Sequence, residues 1–169
     1  LTVLRSLFLS KQVAEALAFK GGNGLRYAHG SRRSTSDLDF TITDRTPDSE
    51  AAIRELIEPA IILGVRRFGL PLRVQRVRRK PKLSPESTTP TYYVSIGYAF
   101  PGDASTRWFD DGKATSVVEV EVSLNEEVCE TIDVPAGPGD VVVRVCVLED
   151  ILAEKLRALL QQRIRNRHR

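Results

Sequence analysis

A chain of 169 residues with net charge +3 and an isoelectric point near 9.0 is long enough to bury a real core, and its mild basicity permits a polyanionic partner without requiring one. Cys129, Cys146, His29 and His168 stand at no metal-ligand spacing, which argues against a zinc site and a disulfide framework; the cysteines read as reduced and structural. No apolar run approaches the roughly 20 residues that span a bilayer and no signal peptide is evident, so a cytoplasmic chain with no membrane partner is expected.

Along residues 1–18, Leu4, Leu7, Phe8, Val13, Ala14 and Leu17 recur at near-helical spacing with Ser10 as a candidate N-cap, as one helix or two. Leu17 to Lys20 predicts a short strand running into Gly21-Gly22-Asn23-Gly24. Leu25, Tyr27 and Ala28 then continue as a short helix that Gly30 ends. Asp37 and Asp39 flank Leu38 and lead into the alternating Phe40-Thr41-Ile42-Thr43, a second strand. A helix opening at Pro47 to Glu50 would carry Ile53, Leu56, Ile57, Ala60 and Ile61, with Pro59 expected to bend or interrupt it. Leu72, Val74 and Val77 alternate with Arg73, Arg76, Arg78, Arg79 and Lys80. Such a strand reads either as an edge blunted by charge or as a track for a phosphate backbone. After a Pro/Ser/Thr-rich loop to Pro90, residues 91–100 form a β-type run, and residues 101–113 a loop anchored by Trp108 and Phe109. Residues 117–123 predict a strand with Glu119 and Glu121 on one face. Two short strands follow at 128–134 and 141–145, and from Leu148 the period is helical.

Chemistry concentrates at the first two strands. Asp37 and Asp39 lie two apart and project together; an all-oxygen pair suits a hard cation such as Mg²⁺. The turn formed by Gly21, Gly22 and the backbone of Asn23 lets N–H groups converge on an anion where no Cβ blocks its approach. Taken alone, each is a common strand-edge or turn feature. Together they describe a nucleotidyltransferase site: the turn holds a nucleoside triphosphate, and the carboxylates hold the cation that bridges it.

These residues resemble the AbiEii/AbiGii-type nucleotidyltransferase toxins of the DNA polymerase β-like superfamily. Phe19-Lys20-Gly21-Gly22-Asn23-Gly24-Leu25-Arg26 is similar to the family's Lys-Gly-Gly-Thr-Ala-Leu-Arg opening, with Asn23 in place of Thr. Arg33-Ser34-Thr35-Ser36-Asp37-Leu38-Asp39-Phe40 is similar to its Arg-x-Ser-x-Asp-Leu-Asp-Phe signature, and Leu148 to Leu159 to its late helix. The resemblance implies an α/β fold of the α+β type, a mixed sheet flanked by helices, as a single domain over 1–169. It also implies nucleotide contacts from Arg33 and Thr35, and a phosphate-facing Lys155 five residues after a supporting Asp150. Glu121 is favoured over Glu119 as third metal carboxylate or general base, because Glu121-Val122-Ser123 is similar to the family's Glu-Ile-Ser. The implied acceptor is RNA, with tRNA ends foremost, and the implied role that of a toxin with a cognate antitoxin. The family's closing Arg-Asp-Leu-Tyr-Asp-Leu element has no counterpart here, so the form is expected to be truncated at its C-terminus. The alternatives are a catalytically silent nucleic-acid-binding module, or transfer to a protein or small-molecule hydroxyl.

Overall fold

Alternation in the strands sorts the sheet into one apolar and one polar face, and that division positions the site. The computed structural model describes residues 1–32, 35–43, 47, 49–80, 90–100, 102–103, 106–124, 126–139 and 141–166, with side chains through residue 160. Arg33 and the loop at 81–89 lie outside the described residues. In chain order the elements are α1 (Thr2–Leu7), α2 (Lys11–Ala16), β1 (Leu17–Lys20), α3 (Gly21–His29), β2 (Leu38–Ile42), α4 (Glu50–Phe68), β3 (Leu72–Lys80), β4 (Thr91–Tyr98), α5 (Thr106–Asp110), β5 (Ser116–Ser123), β6 (Thr131–Pro135), β7 (Val142–Cys146) and α6 (Leu148–Asn166). The strands form one mixed sheet in the order β3-β4-β5-β2-β1-β7-β6. Strand β2 runs parallel to β5 and β1 parallel to β7, and the other neighbours are antiparallel. This is the expected α+β architecture.

On the apolar face Phe19, Phe40, Val122 and Tyr92 are successive register partners across four strands, all essentially sealed from solvent. The Phe19 and Phe40 rings meet at 5.1 Å. Helix α4 packs against β3 and α1, presenting Ile53, Ile57, Ala60 and Ile61 at helical spacing. Each such isoleucine removed from water contributes about 1.5–3 kcal/mol. Ser49 caps α4 by accepting from the Ala52 N–H at 3.1 Å, and Gly69, at φ +70°, ends it in the left-handed region. Pro59 does not interrupt the helix. Both Pro59 and Glu55, whose carbonyl loses its intrahelical donor, are exposed, so water can satisfy the freed oxygen.

One open question is answered and one further expectation changes. The N-terminal segment is two helices, split at Ser10, whose hydroxyl accepts from the Val13 N–H. The 101–113 segment contains α5, and Trp108 is 48% exposed, so it is not the buried anchor expected. The tie comes from Arg73 of β3, whose Nη1 donates to the Phe109 carbonyl at 3.1 Å.

On the polar face, Ile151 of α6 packs with Ala18 and Cys146, covering the β1–β7 side. Both cysteines are free, and burial pushes the Cys146 thiol up to about 11, which keeps it inert. The β5-β4-β3 side of the same face is lined by polar and charged residues.

Candidate active site

Strand β1 ends at Lys20 and the chain turns at once into α3, with Gly21 at φ +69°. The helix starts at the glycine pair rather than after it. A Cβ on Gly21 would sit 1.9 Å from Asp39 Oδ2, and one on Gly22 would sit 2.7 Å from Thr35 Cγ2. The bare backbone therefore admits the chain's own acid: the Asp39 carboxylate lies directly against the start of α3. Asn23 adds a clamp, its Nδ2 donating to the carbonyls of Thr35 at 2.9 Å and Asp37 at 2.7 Å. With Ser36 Oγ donating to Asp37 Oδ1 at 2.9 Å, the approach to β2 is fixed by side chains on both sides.

Register then assembles a row across five strands. Lys20 faces Asp39, Asp39 faces Glu121, Glu121 faces Tyr93, and Tyr93 faces Arg78. Directly opposed residues project to the same face, so these five side chains form one rung. The adjoining rung runs Glu119, Ser95, Arg76, and Ser95 Oγ donates to Glu119 Oε1 at 2.7 Å. A groove of about 300 Å³ follows these rungs, lined by Asp37, Glu119, Glu121, Tyr93, Ser95, Arg76, Arg78 and Lys80.

Burial, and like charge after it, raise both facing acids. Burial first, then the Glu121 charge, push the Asp39 carboxyl up to about 6, with Lys20 opposing. Glu121 is also raised, by burial and then by Asp37, while a hydrogen bond from Tyr93 works the other way. Burial and the facing Glu121 hold the Tyr93 hydroxyl above its ordinary range, so it stays a donor. Lys20 is buried, and its ammonium pairs with Glu126 and, at 2.9 Å, with Glu154 of α6. Burial pulls its pKa down, but the two carboxylates outweigh that and the net direction is up.

Asp37, Asp39 and Glu121 offer only oxygen donors, and their mutual repulsion is what a cation would relieve. Among the described residues no three Asp, Glu, His or Cys side chains converge into a ready-made cage. One or two carboxylates completed by waters and substrate phosphates are the usual provision for Mg²⁺, so the donor set fits that ion.

The sequence matches the family described as nucleotidyl transferase AbiEii toxin, type IV toxin–antitoxin system, over residues 2–169. The chain belongs to the AbiEii family. Among solved structures it is similar to JHP933 from Helicobacter pylori, at TM-score 0.52 and 16% identity, over 91% of this chain and 53% of that one. A proposed nucleotidyltransferase from H. pylori gives TM-score 0.51 and 16% identity, over 91% and 55%. At that identity the likeness concerns the fold, and the chain spans a little over half the length of either protein. No curated protein matches.

Against the AbiEii resemblance, the structure brings Gly21, Gly22, Asn23, Thr35, Asp37, Asp39 and Glu121 together around the start of α3 and the central rung. Lys155 is half-buried on α6; among the described residues no ion pair joins it to the rung, and its neighbour Glu154 reaches in through Lys20. Asp150 has a supporting role: its carboxylate accepts from the backbone N–H of Cys129 at 2.9 Å and of Glu130 at 3.2 Å, fixing the start of α6. His29 packs, its Nε2 3.3 Å from the Cys146 carbonyl oxygen. Sequence reasoning missed Lys20, Tyr93 and Arg78 as members of the acid rung. Their strand phase was readable, but their register partners were not.

Proposed function

We propose that this chain transfers a nucleoside monophosphate from a nucleoside triphosphate to an acceptor hydroxyl on RNA, tRNA ends foremost, as the toxin opposed by a cognate antitoxin in the cytoplasm. The observation that carries the reading is the rung in which Asp39, backed by Lys20 and pressed against the bare turn at Gly21, faces Glu121. Membership of the AbiEii family supports it. Among the described residues no helix is long and apolar enough to cross a membrane.

In this reading Asp37, Asp39 and Glu121 would supply the one or two carboxylates that hold Mg²⁺ alongside water and phosphate oxygens, and the ion would offset charge on the triphosphate and on the transition state. The backbone of Gly21, Gly22 and Asn23, at the positive end of α3, receives the β- and γ-phosphates, with Arg33, Thr35 and Lys155 as further contacts. The acceptor oxygen attacks the α-phosphorus in line and its proton passes to a carboxylate, with Glu121 as the proposed base. A new P–O bond forms while the bond between the α-phosphorus and the bridging oxygen breaks, and pyrophosphate leaves with the electron pair.

The test is incubation of the full chain with each labelled triphosphate and total cellular RNA, resolved on a gel. Asp39→Ala is expected to remove labelling, by roughly 10³-fold or more, with an unchanged circular dichroism spectrum. Wild-type labelling by the folded variant would reject the assignment.

A further inference from the structure

Strand β3 carries the feature that the transfer reaction leaves unused. Arg76, Arg78 and Lys80 are exposed, and among the described residues none forms an ion pair with a carboxylate. Other basic residues nearby are committed: Arg73 to the α5 carbonyls and Arg54 to Glu58 and the Val74 carbonyl. Charge on an edge strand blunts unwanted pairing whichever way it points. Here its direction is set. Strict alternation from Leu72 and Val74 would send residues 76, 78 and 80 under α4, but the register slips between Val74 and Arg76, leaving Gln75 as the extra residue of a bulge. Beyond the bulge Val77 faces the core, and Arg76, Arg78 and Lys80 line the groove that holds Glu119, Glu121 and Asp37. Lys80 Nζ lies 4.5 Å over the Tyr93 ring, next to Glu121 on the rung.

The order of the strands gives these cations a role. Across the sheet, the glycine turn lies beyond Asp39 on one side, and Glu121, Tyr93 and then β3 lie on the other. In-line displacement requires the attacking and leaving oxygens on opposite sides of phosphorus. With pyrophosphate departing toward the turn, the acceptor must come over β4 and β3. Positions two apart on a strand are about 7 Å apart, close to the separation of adjacent phosphates in an extended single strand.

We infer that β3 is the acceptor seat: Arg76, Arg78 and Lys80 take successive backbone phosphates of a single-stranded RNA end, and its terminal hydroxyl reaches across Tyr93 to Glu121. This rests on the nucleotidyl-transfer reading, so its test uses binding as well as turnover. An Arg76→Gln/Arg78→Gln/Lys80→Gln variant, checked by thermal melting, is compared with the wild type for filter binding of unfractionated transfer RNA across a salt series, and for KM toward that RNA and toward the triphosphate. Expected are an RNA affinity roughly tenfold or more weaker, a log–log salt slope reduced by about 2, and a raised KM for RNA with the triphosphate KM unmoved. Unchanged RNA binding overturns the inference, as does a raised KM for triphosphate alone. If the wild type labels no acceptor yet binds RNA through these residues, the transfer reading fails and the seat stands. If it labels a protein and the triple variant labels it equally, the seat fails and transfer stands.

Discussion

Asp39 holds its proton to about pH 6 because it is largely desolvated and shares its rung with Glu121. The unfolded chain gives up that proton near the ordinary carboxylate range, so between about pH 4 and pH 6 the native state binds more protons than the unfolded state. Stability must therefore fall as pH rises through that window, with the full penalty present above it. Replacing Asp39 by Asn should stabilise the metal-free protein at about pH 7.5 by up to about 3 kcal/mol and flatten this part of the stability–pH curve, as read by urea unfolding. Adding MgCl₂ should raise the melting temperature of the wild type above pH 6 and leave Asp39→Asn nearly unaffected. Gly21→Ala acts on the same carboxylate through space: it places a methyl where Asp39 Oδ2 lies and strains a left-handed backbone. Loss of the Mg²⁺-dependent stabilisation, measured by the same melts, is its expected result, with a cost of at least about 1–2 kcal/mol.

At the scale of elements, the Lys20 cluster and the β3 bulge hold the rung in place. Lys20 joins β1 to Glu126 and Glu154, and Arg157 Nη2 meets Glu126 at 3.2 Å, so one buried ammonium ties the acid rung to α6. Lys20→Met leaves two partly buried carboxylates facing each other, and equilibrium denaturation should show a loss of about 3 kcal/mol. Lys20→Arg should recover part of it. Deleting Gln75 forces a choice between turning Leu72 and Val74 to solvent and driving three cations beneath α4. Either outcome should cost several kcal/mol and lower the melting temperature sharply. Much of this level was legible. A short apolar stretch located β1, alternation located β2 to β5, Gly30 ended its helix as expected, and the three-residue step from Val74 to Val77 is, with the register known, the trace of the bulge. Pro59 misled because a helix break depends on whether the orphaned carbonyl meets water, which only the fold reveals. Trp108 misled because aromatic size alone does not say what is available to cover it.

For the whole molecule, the sheet works by division: one face sealed by α1 and α4, the other shared between α6 and an open charged groove. That division was implicit in the strand phases, since Asp39, Glu121, Tyr93 and Arg78 are all out of phase with the buried Phe40, Val122, Tyr92 and Val77. Pairing order was not readable, because a seven-stranded arrangement with two parallel contacts in its interior leaves no local mark. Lys20 stayed hidden for that reason: its meaning comes from Asp39 on one flank and from Glu154, distant in sequence, on the other.

The parallel contact between β2 and β5 brings together segments separated by roughly eighty residues. Closing so large a loop is slow compared with forming α4 or the hairpin of β3 and β4. On a ribosome, roughly the first hundred residues would emerge with helices and the β3–β4 hairpin but with the acid rung unformed, since Glu121 joins Asp39 only after most of the polypeptide has been made. On the proposed transfer reading, a partly made chain would therefore be inactive. Stopped-flow refolding should show far-ultraviolet ellipticity returning before the protein regains its response to Mg²⁺.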